Sequence, residues 1–321
     1  MPVQTSSTVP HAVNNFYDRV MLARALPFLV HTWFGQVRDI PTNNSNIIKF
    51  RRYNALAVST TALTPGTTPS TASLSSTNVT ATLAQYGNVI ETSDELLLTT
   101  LDPYTTEIME LLGENAGQTL DQVCRDIIVA GTSVQYASSA TSRVTVSAAM
   151  KLSAAEVREA VRTLKNNNAR KITSMISPNP NVDTVPVNSA FVALVHPNTV
   201  YDLKSDASFV PVENYPSQTN TMQGEVGKLD EVRFVETTYA KVFTGAGDAG
   251  VDVYATLILG ADAYGVTRLA GHAMETIQKE LGSAGAADPL NQRSTAAWKA
   301  WFTSVILNDL FLIRVEHGVT A

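Results

Sequence analysis

Few residues of this chain have the types and spacing that could do chemistry. Gly245-Ala-Gly-Asp-Ala-Gly250 reproduces a dinucleotide-binding fingerprint by letter. That chemistry needs the glycines between a strand and a helix whose N-terminus faces the pyrophosphate. Here the following residues, Val251 to Leu259, read as a strand, so the run is expected to be a hairpin loop. The five histidines (His11, His31, His196, His272 and His317) show neither HxH nor HxxxH spacing, and Cys124 is the one thiol that could join them. No metal site is expected from that set. There is no GxSxG elbow to expose a nucleophilic serine. Cys124 falls beside Val123 near an apolar helical stripe, where a thiol serves as a small core filler. The carboxylates Glu107, Glu110, Glu114, Asp121 and Asp126 lie along the same helix with no aromatic cleft beside them. They read as a solvated or partner-facing side rather than an acid–base pair. No catalytic, cofactor-binding or metal-ligating residue is assigned, no cofactor is expected, and the chain is not read as an enzyme.

The elements that carry these residues have an unusual composition. Of 321 residues, 44% are apolar and only 16% charged, with a net charge of −6; an average soluble chain is about 25% charged. Serine and threonine fill much of the gap. Such a surface is either hydroxyl-rich and solvated or covered by partners. At roughly 150 residues per domain the length suggests about two domains. A single cysteine excludes a disulfide framework, and no apolar run approaches the ~18 residues of a membrane span. The N-terminus lacks a signal-peptide layout, so synthesis in the cytoplasm is expected. Mild acidity argues against a dedicated nucleic-acid binder. Charge is also segregated: residues 1–56 hold six Lys or Arg against two acids, whereas residues 57–131 hold nine acids against one Arg. Such blocks mark solvated faces or complementary contact surfaces.

Asn14 to Gly35 reads as an amphipathic helix kinked at Pro27. Ile47–Leu56 and Thr77–Glu91 alternate as strands around a turn-rich tip, Thr64-Pro-Gly-Thr-Thr-Pro69, and predict a long hairpin. From Ala57 to Ile90 there is no charged residue. The ribbon therefore lacks the charges that usually protect edge strands; it is either an intermolecular arm or a hairpin folded onto its own domain. Asp102-Pro103 then opens a helix to Ala130, stopped by Gly131, with Ile108, Leu111, Leu112, Ala116, Leu120, Val123 and Ile127 on its apolar stripe. At 1.5 Å per residue it spans about 42 Å and should be a structural spine. Residues 153–166 form a second helix with a Ser153–Glu156 capping box. Strands are expected at Lys171–Ile176, Ala190–Val195, Glu231–Glu236 and Val251–Leu259, with a helix at Pro197–Lys204. After a Gly/Ala-rich connector at 282–287, Trp298–Leu307 and Leu310–Glu316 read as two strands joined by a tight turn at Asn308-Asp309. No internal repeat is present.

This order of elements resembles the Hong-Kong-97-type major capsid protein of tailed phages. Ala62–Pro69, Val79–Gly87, Leu112–Asp121, Ala130-Gly-Thr132, Asp288–Arg293, and Trp298-Lys299 followed by Ile306–Asp309 are similar to the major capsid family named after phage N-four. The resemblance implies an α+β capsid fold: N-arm 1–45, E-loop 46–92, P-domain 93–168 with spine helix 103–130, A-domain 169–270, and a return to the P-domain over 271–321. It implies a coat protein that self-assembles as hexamers and pentamers into an icosahedral shell. The implied partners are portal and scaffolding proteins, double-stranded DNA held weakly without sequence specificity, optionally a decoration protein, and no membrane. Its implied place is the virion capsid, made in the host cytoplasm. The chain begins at Met1, from which a separate scaffolding protein is expected rather than an N-terminal scaffold segment removed by proteolysis. The expected intersubunit contact sets Lys49, Arg51 and Arg52, with the tip residues Pro65, Gly66 and Pro69, against Glu107, Glu110 and Glu114 of a neighbour's spine helix. A tail or fibre component is the rival reading.

Overall fold

The computed structural model describes residues 29–320 except positions 44, 55, 61, 64, 69, 70, 100–103, 175–186, 216–220, 286 and 287. The expected helix at 14–35 and the Asp102-Pro103 cap fall largely or wholly outside these residues. Over its described part that helix is replaced by one 3-10 turn, Val30–Thr32, followed directly by strand β1, Gln36–Ile40. The turn is held sideways on the spine by His31, whose backbone N–H donates to Asp121 Oδ1 at 2.7 Å while its Nδ1 meets Asp121 Oδ2 at 2.6 Å.

Strands β2 (Ile47–Tyr53) and β3 (Ser76–Thr82) pair antiparallel as a two-stranded ribbon. The expected second hairpin strand, 77–91, is in fact two. At buried Leu83 the chain leaves the ribbon and becomes β4 (Ala84–Ser93), which pairs with β14 (Arg293–Ile306). With β1, β12 (Tyr264–Leu269) and β13 (Glu275–Lys279), these form a five-stranded sheet. The short helix α1 (Asp94–Thr99) follows β4, and α2 (Tyr104–Val129) is the expected spine.

The second sheet has eight strands. Its path runs β5 (Val134–Tyr136), β15 (Leu312–His317), β11 (Val253–Leu259), β6 (Phe191–Val195), β9 (Val232–Glu236), β8 (Glu225–Leu229), β7 (Phe209–Pro211), with β10 (Val242–Phe243) also on β11. The spine packs Met109, Leu112, Ala116 and Ile128 into one apolar core with Trp298 and Phe302 of the smaller sheet and Leu194, Leu257 and Leu312 of the larger. The larger sheet's other face is covered by α3 (Ala154–Asn166) and α4 (Pro197–Lys204), through Val157, Leu164, Val200 and Leu203. Cover on both faces explains why β6 is a continuous apolar run and β11 is broken only by Thr256, both buried at every position. The capping box on α3 forms as expected.

Four further expectations are corrected. Trp298–Leu307 and Leu310–Glu316 are not a hairpin: β14 and β15 belong to different sheets, and Asn308-Asp309 is where the chain crosses between them. Asp309 turns back to accept from the Thr132 N–H at 3.1 Å, just past the end of the spine. The expected strand Lys171–Ile176 is a loop over its described residues, 171–174, where Ile172 and Thr173 both donate to the Ala190 carbonyl. Asp121 is fully buried against His31 rather than on the polar side of the spine, and Leu111, placed in its stripe, is 57% exposed.

Candidate assembly interface

The region around the β2–β3 ribbon gathers the features expected of a contact surface. Its neck is closed by Asn54, whose N–H donates to the Ser75 carbonyl at 3.0 Å and whose side-chain amide reaches Ser75 Oγ at 3.1 Å. Beyond it, every described residue from Leu56 to Ser75 is exposed and none lies in a strand or helix. Leu56, Val58, Leu63 and Leu74 are 56, 87, 75 and 64% exposed on this uncharged loop. Burying a side chain of that size is worth roughly 1.5–3 kcal/mol, so the loop holds unrealised apolar contact. Pro65 and Gly66 form an exposed turn at its tip, Gly66 at φ +83°; Pro69 lies outside the described residues.

The root of the loop is fixed. Phe50 is buried and seats against Gly265 of β12, where a Cβ would come within 2.9 Å of its ring. The Arg38 guanidinium of β1 lies 5.5 Å from the centre of the same ring. Lys49 and Arg51 flank Phe50 along β2, Arg52 follows two positions on, and all three are exposed. Arg51 Nε donates to Asn78 Oδ1 at 3.3 Å, and none of the three forms an ion pair among the described residues.

The acids expected opposite them stand on the spine: Glu107 is exposed in its first turn, and Glu110 and Glu114 are half-buried. Within one copy they do not meet the basic trio. Sequence reasoning missed Arg38 and Arg170, which line the same cleft as Arg51 and Arg52, about 210 Å³ in volume, with Asp262 on its wall. They lie 11 or more positions from the trio in sequence, so nothing in local spacing could have joined them. Arg170 reaches Asp262 at 3.4 Å.

The motifs weighed for chemistry are structural. Gly245–Gly250 joins β10 to β11 as a hairpin loop. Cys124 is buried, and burial pushes its thiol well above the usual range. His317 is buried, and burial lowers its imidazole to about 4. Among the described residues no three His, Cys, Asp or Glu side chains cluster as metal ligands, and no helix is long and apolar enough to cross a membrane.

A spine helix between two sheets, with an exposed loop thrown out from their edge, is the fold of solved phage capsids. The capsid of Ralstonia phage GP4 is similar at TM-score 0.66 and 11% identity, over 89% of this chain and 87% of that one. The capsid asymmetric unit of cyanophage Pam1 gives 0.65 and 16% over 94% and 93%, and the capsid of cyanophage P-SCSP1u gives 0.62 and 14% over 89% and 87%. No curated protein sequence matches. The phage capsid protein family model matches residues 76–315, from β3 into β15, and the chain belongs to that family. It is therefore a self-assembling structural protein of a virion shell, and the tail or fibre reading falls.

Proposed function

We propose that the chain is the major coat subunit of a tailed phage's icosahedral head, of the N-four-like branch that its motifs resemble. In this reading it assembles as hexamers and pentamers, with portal and scaffolding proteins, around double-stranded DNA gripped weakly, optionally under a decoration protein. It is made in the host cytoplasm and performs no catalysis. Its parts are the N-arm 1–45, E-loop 46–92, P-domain 93–168, A-domain 169–270 and return 271–321.

The observation that carries the reading is the exposed, uncharged loop beyond Asn54, with four large apolar side chains that its own copy leaves uncovered. It lies across a neighbour, with Pro65 and Gly66 shaping the tip. Lys49, Arg51 and Arg52 then face Glu107, Glu110 and Glu114 of that neighbour. Exposed pairs are each worth only about 0–1 kcal/mol, but around a closed symmetric shell they set register. Electron microscopy of the purified protein tests the shell, which should appear as closed particles. K49A/R51A/R52A should stay folded and lose shell yield; undiminished yield removes the pairing.

A further inference from the structure

The cleft at the root of the loop contains more positive charge than its own copy answers. Arg38, Arg51, Arg52 and Arg170 line it, and the one acid among its lining residues is Asp262. Arg52 has no polar partner among the described residues, and Arg38 has only the face of Phe50. Four guanidinium groups around one small cleft repel one another until an anion sits among them, and their planar forks match a carboxylate in two-point fashion.

The cleft is also composite. Arg38 comes from β1, Arg51 and Arg52 from β2, and Arg170 from the loop after α3, pinned by the Ala261 N–H donating to its carbonyl at 2.8 Å. Arg38 is carried by the pairing of β1 with β12, and Phe50 seated on Gly265 brings β2 to the same point. The site exists only when the root of the loop is docked.

We propose that this cleft is a carboxylate socket for a second copy of the chain, filled by Glu107 from the first turn of the neighbour's spine helix. The proposal rests on the shell-subunit reading and adds Arg38 and Arg170 to it. Charge complementarity selects the occupant: residues 57–131 carry nine acids against one Arg, and Glu107 is exposed with no ion pair among the described residues. A volume of about 210 Å³ admits a side chain rather than a strand or helix. Because the socket is assembled by docking of the loop's root, capture of the acid and fixing of the loop are one event, and a misdocked loop presents no complete socket.

The test uses the full chain. R38A/R170A leaves Lys49, Arg51 and Arg52 in place, so it separates the socket from the wider arm contact. It should keep the wild-type circular dichroism spectrum and lose shell yield by about tenfold, the scale of one charge-assisted contact repeated through a shell. R170E should lose yield likewise, and R170E/E107R, with the charges exchanged on every copy, should recover it. Wild-type yield for R38A/R170A overturns the socket, while the arm reading still stands or falls on K49A/R51A/R52A. Failure of E107R to rescue R170E overturns Glu107 as the occupant. If R170E instead abolishes binding of a double-stranded DNA oligomer to the unassembled subunit, the cleft is a phosphate site and the carboxylate proposal is overturned.

Discussion

Two arginine clusters in this molecule are handled in opposite ways. At the C-terminal end of the spine, Arg143 grips Glu316 through two bonds of 2.8 and 2.7 Å, and Arg314 Nε reaches the same carboxylate at 2.7 Å. Glu316 is fully buried, and Arg314 also donates to the Val129 and Gly131 carbonyls, closing the end of the helix where its dipole favours a cation. At the root of the loop, Arg38, Arg51, Arg52 and Arg170 are all exposed, with one carboxylate between them. The first cluster is satisfied within the chain and fixes the fold. The second is left open and is available to a neighbour. A subunit that must be both a stable monomer and an adhesive tile keeps these two uses of charge apart.

The largest effect should follow from breaking the satisfied cluster. Glu316→Ala leaves two guanidinium groups without their carboxylate and should cost about 3–5 kcal/mol in a urea titration. Next comes acid. His317, neutral and buried against Thr256, has a folded pKa lowered by burial to about 4 from an ordinary 6.5. The unfolded chain therefore binds more protons between those values, and stability is lost as pH falls through the window, by about 3 kcal/mol in all. Denaturation series at several pH values should show that slope, and His317→Asn should flatten it. Ser153→Ala, which removes the cap of α3 on the same sheet, should cost about 1 kcal/mol by thermal unfolding. The smallest effect on the monomer belongs to the open side. L63S/L74S should leave unfolding free energy within about 0.5 kcal/mol of wild type while lowering shell yield. A loss of monomer stability comparable to that of Glu316→Ala would erase the contrast.

Much of this was legible in the sequence, for local reasons. The spine, α3 with its capping box, and α4 at Pro197–Lys204 follow from periodicity and end signals that act within a turn or two. Buried strands β6 and β11 read as apolar runs bounded by polar residues. What failed depends on distant partners. Asp121 looks like a surface acid until His31, 90 positions away, is seen against it. Asn308-Asp309 looks like a hairpin turn because its letters suit one; that the flanking strands join different sheets is decided by pairing with β4 and β11. For the interface, Lys49, Arg51 and Arg52 stood out as a local cluster, whereas Arg38 and Arg170 reach the same cleft only through the fold.

The pairing of β4 with β14 has a mechanical consequence. Ser93–Ala84 lies against Arg293–Phe302 over ten register pairs, and β4 continues through Leu83 into the strand that bears the loop. A tug on the loop by an expanding or pressurised shell is therefore directed along β4. The inter-strand bonds lie across that direction, so they share the load together instead of opening one after another from an end. The loop is joined to its subunit as a lap joint is, by overlap length, and should tear from its neighbour before it peels from its own sheet.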